Sequence, residues 1–352
     1  MTGQNRYRSI DMARGIGITL VLFGHLEVTE PHILLWISSF HMAMFFVLSG
    51  ITLSLSREAR NDTKARMLKK VRTIIIPYIW FSVFYVCMDV LNLQLGKIDA
   101  PTFRFNAVSL ATFYGKSVLW FMTALFISHT ALIVLQRIVP EKQDALVLAA
   151  SVVIGALSCV AAEALVKLTD AGTLSFAQTT LVNMGKSVAR AGVVLPFVTA
   201  GYYGRIFFAS RPDLLRGKGA RWFLALATGV ACYAVAEYRG MIDTNNLVIG
   251  NPALYYLAGF LGSISIIALC TLLPDIPVLR RLGSYSFVIM AVHLDLYVLW
   301  MGLQVGMRMY GFFPYRPVLT VTTVAVALAI GSLIAYVIER WFPFLLGRKK
   351  PA

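Results

Sequence analysis

The chain has 352 residues, 58% of them hydrophobic and only 14% charged. A soluble domain carries about 25% charged residues, so this composition, with a mean hydropathy of +0.72, excludes a soluble globular enzyme and defines a polytopic membrane protein. The formal charge of +15 would suggest nucleic acid in a soluble protein; here membrane orientation accounts for it, and no nucleic-acid partner is expected.

Ten apolar segments are expected to span the membrane, at about 10–26, 38–55, 73–93, 117–136, 145–165, 188–208, 222–238, 252–273, 285–305 and 317–338. Runs of that length satisfy their own backbone groups in lipid, whereas barrel strands would be about half as long and alternating. The expected fold is therefore all-α, a membrane helix bundle with residues 1–352 as one domain. With the amino terminus inside, 22 of the 32 Lys and Arg fall in cytoplasmic segments, which places both termini in the cytoplasm. No internal repeat is visible, so the inverted-repeat signature of many secondary transporters is missing.

The first segment, Ser9 to His25, is a span in everything but Asp11, Arg14 and His25. At about 100° per residue, the eleven steps from Arg14 to His25 leave the two roughly 20° apart on one helical face. Asp11, three residues before Arg14, lies on the same side. The axial separation is about 16 Å, half a hydrocarbon core. One stripe thus carries a cation low and an imidazole high. Another span follows, and no small-residue cleavage site intervenes, so the segment is expected to remain as a signal anchor.

A short outer loop, Glu27 to Ile37, leads to His41, which is expected to open the second span and to meet His25 at the outer mouth. A neutral imidazole near its ordinary pKa is suited to take a proton from a hydroxyl. The loop Arg57–Arg72 then runs into the third span as K-A-R-M-L-K-K-V-R. Positive-inside topology and contact with membrane lipid headgroups account for such a loop. A functional reading adds a phosphate site made by Arg66, Lys69 and Arg72. Arg14 could likewise snorkel to the interface, but its stripe-mate His25 favours a bundle-facing role.

Leu119 to Phe126 (L-W-F-M-T-A-L-F) reads as an aromatic belt, and Arg190, Glu163, Glu237, and His293 with Asp295 are further polar groups expected to outline an interior open to the outside. Cys87, Cys159, Cys232 and Cys270 show no CxxC or Cys/His spacing. They read as packing residues, and no metal site is expected.

These motifs resemble the family 3 integral membrane acyltransferases. The match runs through R-x10-H (Arg14, His25) and F-H-x3-F-F-V-L-S-G around His41 to the basic loop ending in R-x4-P-Y (Arg72, Pro77, Tyr78). It continues in L-W-F-x2-A-L-F, L-P-F-x3-G around Pro196 and L-G-S-Y-S-F-x4-V-H from Leu282 to His293. G-N-P-A-L-Y-Y-L-A-G-F-L-G is most similar to the fucose 4-O-acetylase-like branch. The resemblance implies O-acyl transfer from cytoplasmic acetyl-CoA, the co-substrate, to a sugar hydroxyl of a glycan or lipid-linked saccharide at a bacterial inner membrane. It carries the family's arginine–histidine pair onto Arg14 and His25, and the family's R-x-x-R onto Lys69 and Arg72. Lysine replaces the first arginine there and loses its bidentate fork, while Ala43 stands where relatives often place proline. No soluble acyltransferase domain is expected after the tenth span.

The resulting expectation gives the catalytic work to His25, as general base or transient acyl carrier, with His41 beside it. Arg14, together with Arg66, Lys69 and Arg72, would hold the donor. The alternatives are a transporter or flippase for a lipid-linked sugar or small metabolite, and a non-enzymatic membrane scaffold or sensor. Succinyl-CoA and other acyl donors also fit.

Overall fold

The computed structural model describes residues 3–55, 62–140, 142–172, 174–210 and 217–348. Arg57 and Arg60 of the basic loop lie outside the described residues, as do Arg211, Arg216, Lys349 and Lys350. In chain order the helices are α1 (Gly3–Gly24), α2 (Pro31–Ser54), α3 (Thr63–Lys70), α4 (Ile76–Gln94), α5 (Ala100–Ala111) and α6 (Trp120–Ile138). Then follow α7 (Asp144–Asp170), α8 (Phe176–Ser210), α9 (Lys218–Arg239), α10 (Pro252–Leu272), α11 (Pro277–Val292), α12 (Val298–Phe312) and α13 (Arg316–Trp341). Eight helical segments among the described residues are long and apolar enough to cross a membrane. The protein is therefore an all-α, multi-pass membrane protein.

Two of the ten expected spans, 10–26 and 285–305, are not among these eight segments. Residues 285–305 are not one helix: α11 ends at Val292, His293 to Tyr297 form turns, and α12 starts at Val298. Tyr297 takes a left-handed backbone (φ 58°), which a non-glycine residue adopts only at some cost in strain. α2 begins at Pro31 rather than at residue 38, so the loop after α1 shrinks to residues 25–30, and α8 begins at Phe176 rather than at residue 188.

The helices form two compact units, one of Met1–Ser54, Gly201–Asp243 and Ile249–Tyr336, the other of Leu55–Ala200, Thr244–Val248 and Val337–Ala352. In the first unit α1 and α11 touch backbone to backbone. A Cβ added at Gly15 would strike the Leu279 carbonyl, and one added at Gly283 would strike the Asp11 carbonyl. Each glycine thus fits against the residue four before the other glycine, a small-residue crossing of the kind that packs helices in lipid. The Ile276 N–H also reaches Met12 Sδ (3.4 Å), and the His25 ring lies beside His293. Those contacts require parallel helices: the two glycine contacts are offset by 264 and 272 positions and His25–His293 by 268, their mean.

α2 returns antiparallel to α1. α9 and α10 form an antiparallel hairpin joined by the Ser265 hydroxyl donating to the Ala225 carbonyl (2.7 Å) and by the Cys232 thiol at the Ala258 carbonyl (3.5 Å). Ser39 of α2 meets Cys232 (3.4 Å), which ties α2 to that hairpin.

In the second unit α3 and α4 are separated by a π-helical turn, Val71–Ile75. Pro77 causes it, because proline brings no N–H and its ring collides with the carbonyl four residues back. Arg72 lies inside the widened turn, and Tyr78 anchors the next turn by donating to the Leu110 carbonyl (2.6 Å). A 3-10 turn, Pro343–Leu346, packs on this region. It ends at Gly347 (φ 64°), where a Cβ would collide with the Arg72 carbonyl.

Gly283→Leu should therefore separate α1 from α11, an overpacking cost of about 1–3 kcal/mol or more. Gly311→Leu on α12, where nothing lies within 4 Å of an added Cβ, should leave stability near wild type. Melting temperature in detergent, followed by size-exclusion chromatography after heating, checks the contrast.

Candidate active site

The first unit brings three imidazoles together. α1 stops at Gly24, so His25 is the first residue past the helix, its N–H held by the Leu22 carbonyl (3.3 Å). The Thr29 hydroxyl closes the turn by donating to the Phe23 carbonyl (3.0 Å). Opposite, His293 is the C-cap of α11, and the two ring centroids are 5.1 Å apart with a tilt of 47°. His293 is 0% exposed, whereas His25 is exposed. An accessible ring therefore sits on a buried one.

His41 completes the group from α2, within electrostatic reach of His25. It does not open its helix, as expected from sequence, but is the eleventh of 24 residues, about 15 Å from the α2 start. The α11–α12 break tells the same story. Ile289, before it, packs at Gly331, and Gly302, after it, packs at Thr323, so the break faces the middle of α13. The imidazoles are thus deep within the spans rather than at the outer mouth. Two stretches of non-helical backbone, 25–30 and 293–297, begin at this level. Irregular backbone at membrane depth is tolerated where protein buries it or where it lines a cavity.

Two of the three rings have their tautomer fixed. A carbonyl can only accept, so His41 carries its proton on Nδ1, which donates to the Ile37 carbonyl (2.7 Å). His293 likewise donates from Nδ1 to the Met290 carbonyl (2.8 Å). In the neutral form each presents Nε2 as a bare lone pair. His293 Nε2 is buried and has no hydrogen-bond partner among the described residues. Asp243, which the sequence reading passed over, lies within electrostatic range of both His25 and His41. Its only signal was an acid after α9, in a turn-forming stretch (M-I-D-T-N-N).

Arg14 lies lower on α1 and is fixed from two sides. It donates to Asp11 Oδ1 (3.3 Å) and to the Thr52 hydroxyl of α2. Eleven residues separate Arg14 from His25 on α1, and eleven separate His41 from Thr52 on the antiparallel α2. The cation and the imidazoles therefore mark two levels of one helix pair. Arg14 remains part-exposed, its side chain 25% accessible.

In the second unit, the basic segment divides. Arg66 is turned inward, 3% exposed, and donates to Gln136 Oε1 of α6 (2.6 Å). His129, also buried on α6, lies within electrostatic reach of Arg66 and Lys70. Lys69 is half-buried and Arg72 exposed at the π-helical turn. Arg190 is buried as well, donating to the Tyr114 carbonyl (3.0 Å) beneath the Tyr114 and Trp120 rings, at 5.0 and 5.3 Å.

The remaining polar groups do not form one interior. Glu163 is on the exposed face of α7, paired with Lys167 one turn on (2.6 Å), so it does not line a cavity. Glu237 accepts from His32 (2.9 Å) near the start of α2. Among the described residues no group of three or more His, Cys, Asp or Glu side chains is placed to hold a metal ion.

The imidazole cluster, with a fixed guanidinium below it, is the candidate site of the first unit. The family model for the acyltransferase family 3 domain (Acyl_transf_3, acyltransferase domain) matches residues 7–337. The chain belongs to that family and is a membrane acyltransferase. No curated protein and no solved structure matches it.

Arg66→Ala should remove a buried charge-assisted hydrogen bond to Gln136 and lower stability by about 1–3 kcal/mol. Arg72→Ala, at an exposed position, should stay within about 0.5 kcal/mol of wild type. Melting temperatures of the two variants in detergent check this.

Proposed function

We propose that the protein transfers an acyl group, acetyl in the simplest case, from cytoplasmic acyl-CoA to a sugar hydroxyl of an exported glycan or its lipid-linked precursor. The reading places it in a bacterial inner membrane with both termini in the cytoplasm. The observation that carries the proposal is the two-level arrangement of α1 and α2, with Arg14 below and His25 deep in the span, accessible and backed by other imidazoles.

In this reaction His25 removes the proton from the acceptor hydroxyl as its oxygen attacks the thioester carbonyl. The new C–O bond forms, the C–S bond breaks, and the departing thiolate recovers the proton from His25. His41, whose Nδ1–H is committed to the Ile37 carbonyl, offers its Nε2 lone pair to a neighbouring hydroxyl of the acceptor and orients the sugar. Arg14, held by Asp11 and Thr52 about 16 Å lower along the helix, holds an anionic part of the donor. Lys69 and Arg72 hold the anionic phosphates of the donor, which a lysine does as a point charge and an arginine as a fork.

His25→Ala should abolish transfer of radiolabelled acetyl from acetyl-CoA into the glycan fraction while membrane abundance stays at wild-type level. Retained labelling would remove His25 from the mechanism. Absence of acetyl-CoA-dependent label with wild-type protein would favour the transporter alternative. Lys69→Ala combined with Arg72→Ala should raise KM for acyl-CoA by about 10-fold or more, since each charge-assisted contact contributes about 1.5–3 kcal/mol. Initial rates against donor concentration in proteoliposomes read this directly.

A further inference from the structure

We propose that His293 is the positioning residue of the proposed reaction: it accepts a hydrogen bond from His25 through Nε2 and thereby sets which His25 nitrogen faces the acceptor. This inference rests on the transferase reading above and adds a residue to it.

Four observations carry it. His293 is wholly buried at the end of α11, and its Nδ1–H is committed to the Met290 carbonyl at 2.8 Å. Nε2 is consequently an acceptor, and it is buried with no hydrogen-bond partner among the described residues. Leaving such a nitrogen unmatched is costly, about 1–3 kcal/mol, so the site is built for a donor. The nearest ring is that of His25, at 5.1 Å between centroids. An N–H···N bond between two imidazoles needs about 5 Å, from an N···N distance of about 2.9 Å and about 1.1 Å from each ring centre to its nitrogen. Stacked rings would lie closer. Since His25 is exposed and stands one residue beyond the end of α1, a modest rotation of its side chain completes the bond.

The chemical consequence follows from tautomer logic. An imidazole that donates from one nitrogen to His293 must present the other as a lone pair, the form a general base requires. Asp243, in the segment after α9, and His41 of α2 also lie within electrostatic reach of His25. The His293 lone pair is distinguished from them by its complete burial. A neutral acceptor orients the ring without adding a fixed negative charge to a site that must admit a polyanionic donor.

The test compares His293→Leu, His293→Gln and His293→Asn in proteoliposomes with acetyl-CoA and the glycan acceptor. Glutamine can place its carbonyl oxygen near the lost Nε2, whereas asparagine reaches only the Nδ1 position. His293→Leu should lower kcat by about 100-fold or more with KM for acetyl-CoA unchanged within about 2-fold. His293→Gln should recover to within about 10-fold of wild type, and His293→Asn should not recover. If His293→Leu is not monodisperse in size-exclusion chromatography, the glutamine–asparagine contrast decides by itself. Full kcat in His293→Leu, or glutamine no better than asparagine, would overturn the assignment while leaving the transferase reading intact. Wild-type protein that transfers no acetyl would overturn both.

Discussion

The first unit depends on the backbone contact between α1 and α11. Two helices whose touching residues stand 264 and 272 positions apart in sequence approach closely enough that neither Gly15 nor Gly283 has room for a methyl group. In lipid the association of helices has little hydrophobic drive, so close packing of small residues carries much of it. Because each glycine meets a carbonyl of the partner, the contact fixes register as well as distance. That register puts His25 level with His293, two to three turns above the crossing. A slip of one residue would rotate each ring by about 100° and dissolve the pair.

Two of the clustered imidazoles stand where helices stop. α1 ends at Gly24 and α11 at Val292, and each is followed at once by histidine. Helix ends leave carbonyl groups without intrahelical partners. Here the Thr29 hydroxyl takes one of them, the Phe23 carbonyl, and the His293 Nδ1–H takes another, the Met290 carbonyl. The same hydrogen bonds that terminate the helices thus fix side-chain tautomer and loop position. The left-handed Tyr297 is the strain accepted at that break. Ionisable groups at this depth are expensive unless a site uses them.

The second unit shows how a basic segment separates into support and surface. Arg66 is buried against Gln136, while Lys69 and Arg72 remain accessible to differing degrees. Pro77 widens the helix to a π turn around Arg72, and the turn at Pro343–Leu346 packs there with Gly347 against the Arg72 carbonyl. Sequence spacing treats Arg66, Lys69 and Arg72 as one stripe. Arg66 leaves that stripe within α3, before the π turn, because its guanidinium turns inward to Gln136.

The sequence by itself determined the class of protein: long apolar runs with few charges can only be satisfied as membrane helices, and Arg14, His25 and His41 stand out because charge in such runs is costly. It also determined the α1 stop, where Gly24 and Pro31 flank the turn, and the family membership that the match over residues 7–337 shows. Tertiary structure alone decided the depth of His41, since Pro31 starts α2 before the strongly apolar run begins. It alone disclosed the break at His293, because V-H-L-D-L-Y-V contains neither glycine nor proline to announce it. His293 and Asp243 likewise entered the site only on folding, and Arg66 turned inward through Gln136, 70 residues away. Local patterns encode which segments are helical; which side chains meet depends on helix crossings between distant segments, and no local pattern carries those.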